Sequence, residues 1–368
     1  MDLERKVELI TRAPAEETVT KEELRMLLEK EAHPIAYNGF EPSGLVHLGT
    51  GLICAYKMKD FIEAGVKFKA YLATWHGWIN EKLGGDPEAL KKAALHFKHS
   101  WIACGVPEDK IEFVWPEELY DDIDYWNLVV KVAKELTVAR TIRTLEIAGR
   151  GEDAGESRKV AELLYTPMQV ADIFHMKVRI AQLGMDQRKA NMVARDVGEK
   201  LGYWKPVSVH HHLLQGLEKP AQWPLPADPA ERRKLLSAVK MSKSRPGTCV
   251  YIYDSPEAIK KTIAGAFCPE REVDFNPIMD IAKHIVFRER AKEGITISRP
   301  EKFGGKLEVQ NFEELAKVYG EAKLHPMDLK NAVAGELIDI LEPVRTYFEK
   351  NKEARETLEF MRSAKVTR

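Results

Sequence analysis

The sequence has few cysteines, no long apolar stretch and almost no net charge. Its four cysteines are scattered over 368 residues without a Cys-x-x-Cys pair, which argues against a disulfide framework and against a cysteine-ligated zinc site. No segment reaches the roughly 18 consecutive apolar residues of a membrane span, and the N-terminus has no signal-peptide core. We therefore expect a cytoplasmic protein that does not enter a membrane.

Positive and negative side chains nearly cancel. The formal net charge is −1, from 56 Lys and Arg against 57 Asp and Glu. Global charge therefore does not indicate a polyanionic partner, although a local basic face can still bind RNA. The composition is that of a globular protein, and the length allows two domains.

Strand-like apolar runs alternate with helical patterns through the first two thirds of the chain. Five strands are predicted, at Ile35–Phe40, Lys67–Thr74, Lys110–Trp115, Lys177–Gly184 and Pro206–His210. Most of the segments between these strands show the 3.6-residue periodicity of helices. This alternation predicts an α/β fold with a Rossmann-like parallel sheet of five strands.

The pattern changes near residue 253, after which nearly every segment is helical. We predict an N-terminal domain over residues 1–252, which starts with helices, and an all-α domain over residues 253–368. Residues 218–239 are rich in proline and then basic, and they resemble an insertion before a loop at residues 235–250.

Residues 121–150 are too long for a simple crossover between two strands. Their apolar positions form one helical stripe, which consists of Val129, Val132, Ala133, Leu136 and Ala139. The stripe fits either core packing within the monomer or a dimer interface.

A loop that follows the first predicted strand leads into His47-Leu48-Gly49-Thr50. Ligands of parallel sheets bind at the carboxyl ends of strands, and a helix N-terminus offers free N–H groups to a phosphate. His47 can donate to that phosphate. A histidine that merely caps a helix is the alternative.

Lys240-Met241-Ser242-Lys243-Ser244 places two ammonium groups and two hydroxyls in one loop. Two lysines beside a triphosphate would neutralise the charge that moves to the leaving pyrophosphate. A solvated basic turn is the alternative.

A buried helix is predicted to start at Pro167, with Thr166 as its N-cap. Tyr165, Gln169 and Asp172 share one face of it. Buried polar side chains need partners, so this face carries either an internal hydrogen-bond network or a polar ligand.

Two further segments follow strands. Gln187 lies after the fourth strand, and three histidines, His210 to His212, lie at the end of the fifth. Neighbouring side chains of an extended chain point to opposite faces, so the histidines do not form a metal site.

The histidine and lysine motifs, in this order, resemble the signature pair of the class I aminoacyl-tRNA synthetases. With Asn276–Met279 and His325–Val333, the resemblance extends over nearly the whole chain to the tyrosyl-tRNA synthetases of archaeal and eukaryotic-cytosolic type. It implies ATP-dependent activation of L-tyrosine and transfer to tRNA(Tyr) by a homodimer. ATP would bring Mg²⁺, with no metal held tightly by protein ligands.

The resemblance also implies roles for single residues. Tyr37 and Asp172 would bind the hydroxyl of the tyrosine substrate. Its amino group would be bound by Tyr165, Gln169 and Gln187. Ala73 and His76 would line the pocket. ATP would contact Gly39, Glu41, His47, Gly49, Thr50, Lys240, Met241, Ser242, Lys243 and Ser244, of which His47, Thr50, Lys240 and Lys243 would be catalytic. Arg150 and Arg188 would lie near the first acceptor base pair of the tRNA, and Phe303, His325 and Asp328 in the helical domain would hold the first anticodon base, a guanine. Thr50 departs from the pattern, because it stands where the signature usually has a second histidine.

Three other functions share part of these features. A tryptophanyl-tRNA synthetase has both signatures, but Tyr37 with Asp172 suits a phenol better than an indole. A small-molecule nucleotidylyltransferase would lack the lysine loop and the helical domain. An RNA-binding module without catalysis would have no use for intact ATP elements.

Overall fold

The computed structural model describes residues 1–145, 159–228, 231, 235, 240–241 and 247–364. The chain forms two compact units. The first comprises Met1–Gly44, Cys54–His212 and Glu356–Arg368, and the second comprises Leu45–Ile53 and Leu213–Arg355.

The first unit is built on a six-stranded sheet. Its strands are β1 (Ala15–Val19), β2 (Ile35–Phe40), β3 (Lys67–Leu72), β4 (Ile111–Val114), β5 (Ile180–Gly184) and β6 (Val207–His211), in the order β1-β6-β5-β2-β3-β4. All five predicted strands are present and mutually parallel. The strand order changes direction at β2, and the end of β2 is therefore the place where this class of sheet binds ligands.

The sixth strand, β1, was not predicted. It pairs antiparallel with β6 at the edge of the sheet. Its sequence, Ala-Glu-Glu-Thr-Val, lacks the continuous apolar run of a central strand, because an edge strand is not buried on both faces.

In the described part of the first unit, ten helices accompany this sheet. They are α1 (Leu3–Thr11), α2 (Lys21–Lys30), α3 (Cys54–Glu63), α4 (Thr74–Ile79), α5 (Pro87–Ala103), α6 (Glu117–Tyr120), α7 (Ile123–Lys134), α8 (Val138–Thr144), α9 (Tyr165–His175) and α10 (Arg188–Lys200). Short 3₁₀ turns occur at Lys82–Gly85, Glu108–Lys110, Val160–Leu164 and Met185–Gln187. Local signals start several helices: Thr20 and Glu23 form the capping box of α2, and Asp86 with Pro87 starts α5.

The stripe in the 121–150 insertion packs mainly inside the monomer. Val129 and Val132 are 2% and 0% exposed and belong to the core that also holds α9. Leu136 is half-buried against the same core, whereas Ala139 is exposed. Val129 and Val132 therefore pack in the core of the monomer, whereas the prediction that the insertion forms a dimer interface stays a prediction.

The second unit is mostly helical, as predicted. Its helices are α11 (Pro256–Gly265), α12 (Pro277–Ile281), α13 (Phe287–Glu289), α14 (Phe312–Gly320), α15 (Pro326–Ile340) and α16 (Glu342–Lys350), and the last helix of the chain is α17 (Lys352–Ser363). Wide helical turns lie at Gly49–Ile53 and Ala282–Val286, and a 3₁₀ turn at Glu301–Phe303. A small antiparallel hairpin, β7 (Ile295–Ile297) with β8 (Leu307–Val309), was not predicted. Strands of three residues are too short to show an alternating pattern.

The compact units divide after His212, whereas the composition changes near residue 253. Residues 213–252 lie in the second unit because they pair there with distant segments. The Leu48 amide donates to the Val250 carbonyl (3.0 Å), and the Leu217 amide donates to that of Thr248 (3.0 Å). The domain boundary near residue 253 stays a prediction.

Candidate functional site

A buried carboxylate and a buried phenol face each other in the first unit. Tyr37 projects from β2 and Asp172 from α9, and each is 1% exposed. Burial raises the pKa of the Tyr37 phenol, the charge of Asp172 adds to that rise, and the Gln169 side chain opposes it. The two residues predicted to bind a hydroxyl are thus within electrostatic range of each other.

Asp172 has neighbours on two sides. Its Oδ1 accepts a hydrogen bond from the Tyr125 hydroxyl at 2.9 Å, and its Oδ2 lies 3.6 Å from Nε2 of His76, beyond hydrogen-bond distance. Burial raises the pKa of Asp172 well above its usual range, and the Tyr125 donor lowers it in part. Burial lowers the pKa of His76 to about 4, so the imidazole is neutral near pH 7.

Several buried polar atoms around Asp172 have no hydrogen-bond partner in the described part of the chain. They are the Tyr37 hydroxyl, both ring nitrogens of His76 and Oε1 of Gln169. Leaving such atoms unpaired costs about 1–3 kcal/mol each. Their concentration in one place therefore indicates a binding site for a polar ligand.

The Tyr165 side of the site is organised by Glu41. The Tyr165 hydroxyl donates to Oε2 of Glu41 at 3.1 Å, and Asn80 donates to the same oxygen at 2.6 Å. Because the proton of Tyr165 is committed to Glu41, the lone pairs of the Tyr165 oxygen can accept from an ammonium group. Glu41, predicted to bind ATP, here holds Tyr165.

The other two residues predicted to bind the amino group also meet. Nε2 of Gln169 donates to Oε1 of Gln187 at 3.3 Å. The ring of Tyr165 stands edge-on to that of His76, with centroids 4.6 Å apart. Tyr165, which is predicted to bind the amino group, thus contacts His76, which is predicted to line the pocket.

Two small residues make room for these side chains. Ala73 follows β3, and its amide donates to the Phe40 carbonyl at 2.9 Å. A Cβ atom at Gly39 would lie 3.1 Å from Cε2 of Tyr37 and 3.4 Å from Cδ1 of Tyr71. Gly39, predicted to bind ATP, therefore also accommodates the rings that line the pocket.

The predicted start of the buried helix is wrong. Helix α9 begins at Tyr165, directly after the Val160–Leu164 turn, so Thr166 is not the N-cap. Its hydroxyl is buried, 2.7 Å from that of Thr144 on α8. The preceding turn continues into the helix, and local capping residues could not reveal that.

The four residues from His47 to Thr50 lie in the second unit, and hydrogen bonds connect His47 with Gly49 and Thr50. Nδ1 of His47 accepts from the Gly49 amide at 3.1 Å, and the Thr50 hydroxyl accepts from the His47 amide at 3.2 Å. With Nδ1 as the acceptor, a neutral imidazole carries its proton on Nε2. That tautomer is the one that can donate to a phosphate.

The histidine motif pairs with the chain that follows the lysine loop. His47 forms an antiparallel bridge with Tyr251. Lys240 is exposed and bridges Gln215, while Met241 is buried. Ser242, Lys243 and Ser244 lie outside the described residues.

The residues predicted to contact tRNA lie on the surface. Arg188 donates to both carboxylate oxygens of Glu17, and Phe303 is 61% exposed. Nδ1 of His325 caps α15 by accepting from the Met327 amide at 3.1 Å, and Asp328 is half-buried in the first turn. Arg150 lies outside the described residues.

The three successive histidines have separate partners. Nδ1 of His210 is 2.8 Å from Glu17, and Nδ1 of His211 is 2.7 Å from Nε2 of Gln182. Nδ1 of His212 is 3.3 Å from Glu16. Each ring is thus held individually within the first unit.

Two residues of the site were not predicted from the sequence, Tyr125 and Asn80. The buried stripe of α7 shows that Tyr125 points inward, but not what its hydroxyl contacts.

For membrane insertion the structure gives one finding: among the helices described, none combines the length and the apolar character that crossing a bilayer requires.

Comparison with known proteins gives consistent results. A family model described as tRNA synthetases class I (W and Y) matches residues 29–342. The tyrosine–tRNA ligase of Thermococcus kodakarensis is 50% identical over 382 aligned residues, which cover 100% of both chains. The crystal structure of a tyrosyl-tRNA synthetase from Pyrococcus horikoshii, complexed with L-tyrosine, matches with a TM-score of 0.93 and 46% identity over 99% of this chain and 100% of that one.

A tryptophanyl-tRNA synthetase from Aeropyrum pernix matches less well. Its TM-score is 0.70 at 16% identity, over 100% of this chain and 92% of that one. At that identity the likeness shows the fold alone.

Proposed function

This chain belongs to the class I tRNA synthetases for tryptophan and tyrosine, and on that premise we propose that it is a cytoplasmic tyrosine–tRNA ligase. Such an enzyme joins L-tyrosine to ATP as tyrosyl-adenylate, releases pyrophosphate and transfers the tyrosyl group to tRNA(Tyr). The carboxylate of the substrate is the nucleophile, so the protein acts by positioning and by charge stabilisation.

The observation that carries this proposal is the buried pair of Tyr37 and Asp172. A phenol hydroxyl between them would donate to Asp172 and accept from Tyr37, which satisfies the unpaired Tyr37 hydroxyl. An indole N–H can donate but cannot accept. A phenylalanine ring would leave the Tyr37 hydroxyl and Oδ2 of Asp172 without the partner that a substrate hydroxyl supplies. The pocket therefore selects tyrosine over both.

The other end of the substrate would be held by Tyr165, Gln169 and Gln187. The α-ammonium would donate to the Tyr165 oxygen, whose own proton goes to Glu41, and to Oε1 of Gln169, which lacks a partner. Anchoring both ends of the amino acid would fix the position of its carboxylate, the group that attacks the α-phosphate of ATP.

ATP would be bound by the two signature motifs. Nε2–H of His47 and the Thr50 hydroxyl are donors to phosphate oxygens, and Lys240 with Lys243 would neutralise the departing pyrophosphate. These side chains are donors and cations rather than oxygen ligands, so they suit phosphates and not a metal. Mg²⁺ would therefore come bound to ATP, where it offsets phosphate charge.

Two partners complete the proposal. tRNA(Tyr) would reach Arg188 on the first unit and Phe303, His325 and Asp328 on the second. A second copy of the chain would pack on the outer face of α7, where Ile123 and Val130 are exposed.

The test is tyrosine-dependent exchange of radioactive pyrophosphate into ATP, with phenylalanine and tryptophan as control substrates. Exchange that requires tyrosine supports the proposal. Exchange with tryptophan alone would make the enzyme a tryptophan–tRNA ligase, and no exchange with any amino acid would leave a protein that does not activate amino acids.

A further inference from the structure

The hydrogen bond between Tyr125 and Asp172 has no place in the mechanism above. Tyr125 lies on α7, outside the motifs that carry the signatures, and its side chain is completely buried. Its hydroxyl lies 2.9 Å from Oδ1 of Asp172 and 3.4 Å from the Met168 carbonyl, and the Tyr120 hydroxyl is a further neighbour. The shorter contact, to a carboxylate, is the stronger one.

The ring of Tyr125 is held firmly in place. It packs against Tyr120 with centroids 4.7 Å apart and edge-on to His175 at 5.5 Å. Since a donor on a rigid ring fixes the direction of its acceptor, Oδ1 is tied to α7 and the carboxylate cannot rotate freely.

The two carboxylate oxygens of Asp172 therefore have different neighbours. Oδ1 is occupied by Tyr125, whereas Oδ2 lies towards His76, whose Nε2 is 3.6 Å away. A bound phenol hydroxyl finds Oδ2 already oriented as its acceptor.

We propose that Tyr125 is a positioning residue that sets the preference for tyrosine over phenylalanine, by holding Oδ1 of Asp172 so that Oδ2 meets the substrate hydroxyl. This inference rests on the proposed function. It assigns to Tyr125 an effect on one substrate only, because phenylalanine has no hydroxyl to gain from an oriented Oδ2.

The test compares wild type with Tyr125→Phe, which removes the hydroxyl and keeps the ring. Pyrophosphate exchange is measured with tyrosine and with phenylalanine at varied concentrations. Because a hydrogen bond to a charged group is lost, we expect the KM for tyrosine to rise roughly 10-fold or more with little change in kcat. The value of kcat/KM for phenylalanine should stay constant, so the tyrosine-to-phenylalanine ratio falls by the same factor.

Tyr319→Phe is the matched control. Tyr319 is also fully buried, and its hydroxyl donates to the Pro269 carbonyl at 2.9 Å in the second unit. It therefore reports the general cost of losing a buried tyrosine hydroxyl, and the ratio should not change. The ratio of two substrates on one preparation does not depend on the folded fraction, so partial unfolding of Tyr125→Phe does not obscure the result.

A double-mutant cycle with Asp172→Asn tests whether Tyr125 acts through Asp172. In that background Tyr125→Phe should leave the ratio unchanged, and additive effects would overturn the inference. It is also overturned if Tyr125→Phe lowers kcat/KM for both amino acids equally, or changes neither. A wild-type enzyme without tyrosine-dependent exchange would instead refute the proposed function.

Discussion

At the scale of single residues, we propose that Asp172 decides which amino acid is bound. It is the acceptor of Tyr125 and a neighbour of both Tyr37 and His76. A buried site that pairs with a hydroxyl discriminates by what it leaves unpaired when the hydroxyl is missing.

Asp172→Ala should therefore lose activity on tyrosine and gain relative acceptance of phenylalanine. The lost hydrogen bond to a charged group corresponds to about 1.5–3 kcal/mol, or roughly a 10- to 150-fold lower kcat/KM for tyrosine. Pyrophosphate exchange with both amino acids measures the change. A variant that keeps the wild-type selectivity would contradict the assignment of Tyr37 and Asp172 to the substrate hydroxyl.

His211 allows a prediction about pH. Burial lowers its pKa from 6.5 to about 4, against an opposing effect of Asp186. Between these two values the unfolded chain binds a proton that the folded chain does not, so the free energy of unfolding falls as the pH drops from 6.5 to 4. The loss is on the order of 3 kcal/mol.

His211→Gln removes this titration and keeps a side chain that can pair with Gln182. Its unfolding free energy, measured by urea denaturation at several pH values, should fall less steeply below pH 6.5 than that of wild type. Parallel curves for the two proteins would show that His211 is protonated in the folded state or does not contribute.

At the scale of elements, the two faces of α7 have different surroundings. Its inner face carries Tyr125, Val129 and Val132 into the core. On its outer face, Ile123 and Val130 are 72% and 59% exposed, and Val138 at the start of α8 is 64% exposed. Exposed apolar side chains so close in sequence favour an interface with another protein surface.

If this outer face joins two copies of the chain, charges placed on it should separate them. Ile123→Glu combined with Val130→Glu should convert a dimer into a folded monomer, as measured by sedimentation at micromolar concentration. Met26→Glu is the control, because Met26 is a 49% exposed apolar residue on α2. A wild-type monomer, or a dimer that survives the double substitution, would exclude this interface.

Val132 is not suited to that experiment. It is 0% exposed, so a charge there would be buried without a partner and would destabilise the monomer itself.

At the scale of the whole molecule, the two chemical steps require different substrates. Activation needs tyrosine and ATP only, whereas transfer also needs tRNA. Residues that read the anticodon should therefore affect transfer and leave activation intact.

Asp328→Ala should lower aminoacylation and not tyrosine-dependent pyrophosphate exchange. A carboxylate can accept from N1–H and N2–H of guanine, and the exposed ring of Phe303 offers a stacking surface for an unpaired base. The variant should consequently lose the preference for guanine at the first anticodon position, measured on tRNAs with each of the four bases there.

Glu313→Ala is the matched control, because Glu313 is also a first-turn carboxylate of the second unit, on α14. If Asp328→Ala and wild type show identical base preference, then Asp328 serves only its helix, as His325 does when it caps α15.

The sequence by itself determined whatever depends on neighbours along the chain. The five parallel strands, the capping box of α2 and both signature motifs were predictable, because periodicity, caps and turns are local properties. The tertiary structure alone decided the rest: the edge strand β1, the hydrogen bonds that place residues 213–252 in the second unit, and the packing of Val132. The same holds for the contact of Tyr125 with Asp172, 47 residues away. Such partners come together only when distant segments pack, and no local pattern records which distant side chain a buried hydroxyl will meet.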